Sequence, residues 1–152
     1  MEKLGDSTNG SCAVYSEFIR DFAALERLTL PSGPLVMFIA ADASAVPGDA
    51  VSRVAAGLLD AGIVVISVWG PDCERVHDIF DDEYVGDGTV ERALPLVTMW
   101  HAEETLDDAV EFFALNGSGL AQESLPASQL SVAVGNPRWA SAIRSIVAKF
   151  CR

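Results

Sequence analysis

Leu35-Val36-Met37-Phe38-Ile39-Ala40-Ala41 is the stretch whose reading decides the fold. Seven consecutive apolar residues leave no polar face, which marks a strand buried on both sides. Pro31-Ser32-Gly33-Pro34, a cluster of chain breakers, sets its start. Beyond it, Asp42-Ala43-Ser44-Ala45 loops to Pro47-Gly48-Asp49, where a helix begins. Val51, Val54, Ala55, Leu58 and Leu59 form one apolar stripe at helical spacing, and Ala61-Gly62 closes that helix. A second run rich in β-branched residues occupies 63–68. A helix joined by short connections to apolar strands on either side predicts a β-α-β unit with a parallel, right-handed crossover.

Toward the C-terminus, the second run stops at Trp69-Gly70-Pro71-Asp72-Cys73-Glu74-Arg75-Val76-His77-Asp78, which continues as a helical pattern to about Phe80. Residues 81–88, with three acids in succession and two glycines, read as an acidic loop. A third apolar run covers 94–99 and ends at Trp100-His101. Thr105 with Asp108 resembles a capping box with the shorter acid. Leu106, Ala109, Val110 and Phe113 give the following helix its core face, and Asn116-Gly117 is expected to stop it. After a loose segment at 118–128, Leu130-Ser131-Val132-Ala133-Val134 alternates and reads as a short edge strand. Asn136 as N-cap and Pro137 at the first helical position start the last helix, with Trp139, Ile143, Ile146, Val147 and Phe150 on its apolar side.

Toward the N-terminus, Phe18, Ile19, Phe22, Ala23, Leu25 and Leu28 suggest a helix from Ser16, while residues 1–13 read as a frayed, flexible tail. The expectation is therefore a tail followed by a single α/β domain over 14–152. That domain is a three-layer, Rossmann-like sandwich with about four mainly parallel strands flanked by helices.

Composition narrows the function classes. Half of the 152 residues are hydrophobic, and 22 acidic against 10 basic side chains give a formal charge of −12. Such a surface repels phosphate backbones and anionic lipid, which argues against nucleic-acid or membrane binding and suits a basic protein partner or plain solubility. The cysteines Cys12, Cys73 and Cys151 are widely spaced and odd in number, so neither a disulfide framework nor structural zinc is indicated. That usage fits a reducing cytoplasm. The first ten residues lack the apolar core of a secretory signal, and the longest apolar runs fall well short of the ~20 residues of a membrane span.

The Trp69–Asp78 string, Thr98-Met99-Trp100-His101-Ala102-Glu103-Glu104-Thr105-Leu106-Asp107-Asp108-Ala109 and Val132-Ala133-Val134-Gly135-Asn136 together resemble a small bacterial family of uncharacterised α/β domains, over roughly residues 34–147. The resemblance implies a bacterial cytoplasmic domain. It implies no catalytic residue, because the family has no assigned activity.

Parallel sheets bind ligands beyond the carboxyl ends of their strands. Those ends carry Asp42, Trp69 and Asp72, then Trp100, Glu103 and Glu104, and finally Asn136, which form the expected ligand- or partner-binding set. A non-enzymatic acidic domain that binds a protein partner or a small neutral or cationic ligand there is the leading reading. The alternative is a hydrolase or transferase using Cys73 with His77 or His101. Cys73 lies in a first helical turn, where free amides favour a thiolate, and His77 follows four residues later. Asp72 and Glu74 flank the thiol and oppose that, and Cys73 also shares an apolar stripe with Val76 and Phe80. His77, Asp78 and Asp81, or His101, Glu103 and Glu104, offer metal-ligand types, but their spacing is that of a solvated face, and no metal is expected. No cofactor is expected either: the first strand is followed by no glycine-rich phosphate loop, and there is no Walker lysine.

Overall fold

A computed structural model describes residues 1–8, 12–89, 91–92, 94–121, 126 and 128–152. The decisive run forms a strand, Leu35–Ala40 (β3), buried at every residue. Six strands and four α-helices are seen among the described residues. Ahead of β3 lie β1 (Glu2–Asp6), β2 (Ala13–Ile19) and a 3-10 helix (Phe22–Arg27). After it come α1 (Gly48–Asp60), β4 (Ile63–Trp69), α2 (Cys73–Val85), β5 (Val97–His101), α3 (Leu106–Leu120), β6 (Ser128–Val134) and α4 (Pro137–Ala148). The sheet order is β1-β2-β6-β3-β4-β5, parallel throughout except for the antiparallel β1–β2 pair.

Strand alternation divides the core in two. Met37 and Ile39 of β3 and Ile66 and Val68 of β4 pack with Val51, Val54 and Leu58 of α1 and with Val76 and Phe80 of α2. On the other face, Val36, Phe38 and Ala40 meet Val110 and Phe113 of α3 and Ile143 and Val147 of α4. The result is helices, sheet and helices in three layers. Each fully buried Leu, Ile or Phe contributes roughly 1.5–3 kcal/mol of transfer free energy, so the doubly covered β3 is the natural centre of stability. No helix among the described residues is long and apolar enough to cross a membrane.

Several expectations are corrected. The sheet has six strands rather than four. Residues 2–6 form β1 instead of a frayed tail, because they pair antiparallel with β2 and the far end of the chain closes on them: Asp6 N–H donates to the Arg152 carbonyl at 3.0 Å, and Arg152 N–H donates to that of Asp6 at 2.9 Å. Residues 9–11 of the expected tail lie outside the described residues. The helix expected from Ser16 is a strand followed by a single 3-10 segment capped by Asp21. Its helical-looking spacing joins residues from two elements, with Val14 and Ser16 buried at alternate positions of β2 and Phe18 exposed.

β6 is no edge. It lies between β2 and β3 and is buried along its whole length, so its alternation distinguishes two helix-covered faces rather than core from water. α2 continues to Val85 through the expected acidic loop, and Trp100 and His101 are the last two residues of β5. α3 passes Gly117, where a side chain would meet the Phe113 ring at 2.9 Å, so that glycine makes room for the core aromatic rather than stopping the helix.

Ser131, in the middle of β6, is fully buried, and its hydroxyl has no hydrogen-bond partner among the described residues. An unsatisfied buried hydroxyl costs roughly 1–3 kcal/mol. Ser131→Ala is therefore expected to leave stability unchanged or raise it by about 1 kcal/mol in denaturant unfolding; a loss of that size would show that the hydroxyl is bonded in solution.

Candidate functional site

The path of the chain opens two clefts at the carboxyl edge of the sheet. β3 and β4 are followed by helices on one face, and β5 and β6 by helices on the other. The neighbours β4 and β5 thus part company at their ends, as do β3 and β6, and a crevice forms at each divergence. The first, about 560 Å³, is lined by Trp69, Asp72, Cys73, Glu74, His101, Glu104 and Trp139, among others. The second, about 450 Å³, includes Arg20, Asp42, Asn136 and again Trp139. Trp139 stands between them, at the start of α4, where the Asn136 side chain accepts from the Arg138 and Trp139 amides at 3.0 and 3.3 Å.

The β4–α2 turn is pressed against the end of β3. Gly70 has φ +119, and a Cβ there would stand 2.1 Å from the Ala41 carbonyl oxygen, so only glycine fits. Ala41 N–H donates to Trp69 and Ala43 N–H to Pro71, both at 3.0 Å. Asp72 follows with φ 65, the one non-glycine among the described residues in left-handed backbone. That conformation costs roughly 1–2 kcal/mol. Arg75 holds it: its Nε donates to the Asp72 carboxylate at 2.7 Å, and its Nη2 reaches the carbonyls of Ala43 and Val46 at 2.7 and 2.8 Å.

Cys73 is 2% exposed beneath this turn. Burial pushes its thiol up from the ordinary range, and nearby backbone groups, led by that of His101, only partly oppose this. Among the described residues neither histidine ring hydrogen-bonds to the sulfur. A protonated, enclosed thiol is a poor nucleophile.

The two histidines sit on opposite sides of the sheet. His77 packs against Trp100 with ring centroids 4.4 Å apart and planes tilted by 53°, and its ring nitrogens face Asp78 and Asp81 at 2.9 and 3.4 Å. Strand alternation sends the next residue, His101, to the other face, where it is 4% exposed beside Phe38 and Phe112. Its Nε2 lies 2.7 Å from Ser67 Oγ and its Nδ1 3.4 Å from Glu104 Oε1. An ionised carboxylate only accepts, so a neutral ring carries its proton on Nδ1 and receives the Ser67 O–H at Nε2. The order serine–histidine–acid is that of a catalytic relay, but Ser67 is 1% exposed inside β4, so here the hydroxyl anchors the ring.

Trp69 ties the two turns together, its indole N–H donating to the Glu104 carbonyl at 2.9 Å. The same ring meets Trp139 edge to face, with centroids 5.2 Å apart and planes at 87°.

The structure thus gathers Trp69, Asp72, Cys73, His101 and Glu104 around one cleft, and Asp42 and Asn136 around the other. Ser44, through its hydroxyl and its amide, holds the Asp42 carboxyl below its usual range. Trp100 and His77 form a separate cluster on the α2 side, and Glu103 is exposed and lines neither cleft. No group of three or more His, Cys, Asp or Glu side chains among the described residues is placed to hold a metal ion. Sequence reasoning missed Ser67, the lone polar residue of its strand, and the Arg75 clamp, and it assigned Trp139 only to the core.

The buried thiol has a consequence for pH dependence. Its proton is held above the unfolded value near ~8.5, so the unfolded chain ionises first as pH rises through that value and native stability falls on the alkaline side. Cys73→Ala is expected to flatten that fall, and native Cys73 to resist iodoacetamide at neutral pH until the protein unfolds. Rapid labelling with a midpoint below ~8.5 would instead mark an activated nucleophile.

No curated protein and no solved structure matches the chain. The model of a domain family of unknown function, DUF7684, matches residues 19–150, a wider span than the motifs of the two turns and the β6 end. The chain belongs to that family.

Proposed function

We propose that this protein is a non-enzymatic binding domain whose small ligand, neutral or cationic, occupies the cleft between the carboxyl ends of β4 and β5. The observation that carries this reading is the lining of that cleft: two tryptophans and three carboxylates, with no lysine or arginine. Its volume falls within the roughly 300–1,000 Å³ of small-molecule sites, and its place is where doubly wound, Rossmann-like sheets take their ligands. Asp72 and Glu74 at the start of α2 disfavour an anion there. Catalysis by Cys73 with His77 or His101 has less support, because the thiol is buried and His101 is anchored to Ser67. Three free cysteines suit a reducing cytoplasm.

One observation favours a protein partner as a second reading. Trp100, 43% exposed on the edge strand β5, lies beside His77, which faces Asp78 and Asp81. A basic segment would be drawn to that face.

The two readings separate in a ¹⁵N-detected titration with neutral, cationic and anionic fragments and a basic peptide. Small-ligand binding is expected to shift the Trp69 and Trp139 indole signals and the Gly70 amide, and Trp139→Ala to weaken it at least about tenfold, the loss of one aromatic wall. Shifts confined to Trp100 with the basic peptide would favour the partner. Saturable binding by none of the probes would overturn both.

A further inference from the structure

We infer that the ligand of the β4–β5 cleft is an organic cation with an apolar coat, of the quaternary ammonium class, held between the Trp69 and Trp139 rings and the Glu104 and Glu74 carboxylates. This rests on the small-ligand reading above and names its chemistry.

The two rings meet edge to face, with centroids 5.2 Å apart and planes at 87°, so the pair offers a guest the open face of one ring beside the rim of the other. Both rings line the cleft. A cation within about 6 Å of such faces is attracted by the ring quadrupole, and a methylated ammonium loses little by leaving water.

The charge at the cleft points the same way. Asp72 is neutralised by Arg75. Glu104 has only a long contact with His101, and Glu74 makes no ion pair among the described residues. With no basic side chain in the lining, two carboxylates remain for a guest.

A bare metal ion is a poor fit, because among the described residues the carboxylates form no ligating cluster and the rest of the wall is largely aromatic and apolar. A quaternary ammonium needs neither donors nor acceptors of its own, only π-surface and nearby negative charge.

The site is also held in place. The Trp69 indole N–H is bonded to the Glu104 carbonyl, and Trp139 follows the Asn136–Pro137 helix start. A fixed corner spares the ligand the cost of ordering two large side chains.

The test is a calorimetric and ¹⁵N-indole titration of the intact protein with choline, with tetramethylammonium and with 3,3-dimethylbutan-1-ol, the neutral isostere of choline. Choline is expected to bind at least tenfold tighter than the isostere, to shift the Trp69 and Trp139 indoles, and to weaken as salt rises. Trp139→Ala is expected to lose at least tenfold in affinity, Trp139→Phe to keep most of it, and Glu104→Gln, which retains the backbone carbonyl that holds Trp69, to lose severalfold. Equal binding of choline and the isostere at those indoles would overturn the cation assignment and leave the small-ligand reading standing. Choline shifts confined to the exposed Trp100 would overturn the assignment, and no saturable response from any probe would overturn it together with the reading beneath it.

Discussion

Parallel strands cannot be joined by a tight turn, and this constraint shapes everything else in the molecule. Each strand must be followed by a crossover that covers one face of the sheet. The chain steps outward from β3 to β4 to β5 while α1 and α2 cover one side. To place β6 on the far side of β3 it must travel back, and α3 makes that return across the opposite face, packing on β3 and β4. This single reversal buries β3 on both faces. It also splits β4 from β5, and β3 from β6, at their carboxyl ends. Both clefts follow from the path of the chain rather than from loop detail.

What the path opens, a few polar contacts keep in shape. Gly70 lets the turn lie against the Ala41 backbone, and Arg75 locks the left-handed Asp72 behind it. Across the gap, Ser67 anchors His101 and Trp69 reaches the Glu104 carbonyl, so β4 and β5 are joined at their ends by side chains where the ladder stops. Each of these groups would be costly to leave unpaired in so enclosed a place. The wall of the cleft is therefore a network, and its members depend on one another.

Much of this was legible in the residues. Continuous apolar runs located β3 and β4, the stripe at Val51, Val54 and Leu58 located α1, and Asn136-Pro137 located the start of α4, because each rests on local periodicity or capping chemistry. The turns at Trp69 and His101 could be named as strand ends for the same reason. What escaped depends on partners distant in sequence. Nothing near Glu2 announces that its strand pairs with β2 and meets Arg152, and the alternation of β6 looks the same whether one face meets water or a second helix layer. Ser67 could be read as a polar interruption, but its meaning lies 34 residues away at His101. The separation of Trp100 from His101 was implicit in strand alternation once β5 was known to include both.

The two turns form one preformed edge, joined through Trp69. Hydrogen exchange of the three tryptophan indole protons in the unliganded, ¹⁵N-labelled protein tests it most directly. A Trp69 proton that is bonded to the Glu104 carbonyl exchanges far more slowly than that of the exposed Trp100. Equal, rapid exchange at Trp69 and Trp100 would mean that the wall of the cleft is not held, and would contradict a preformed site.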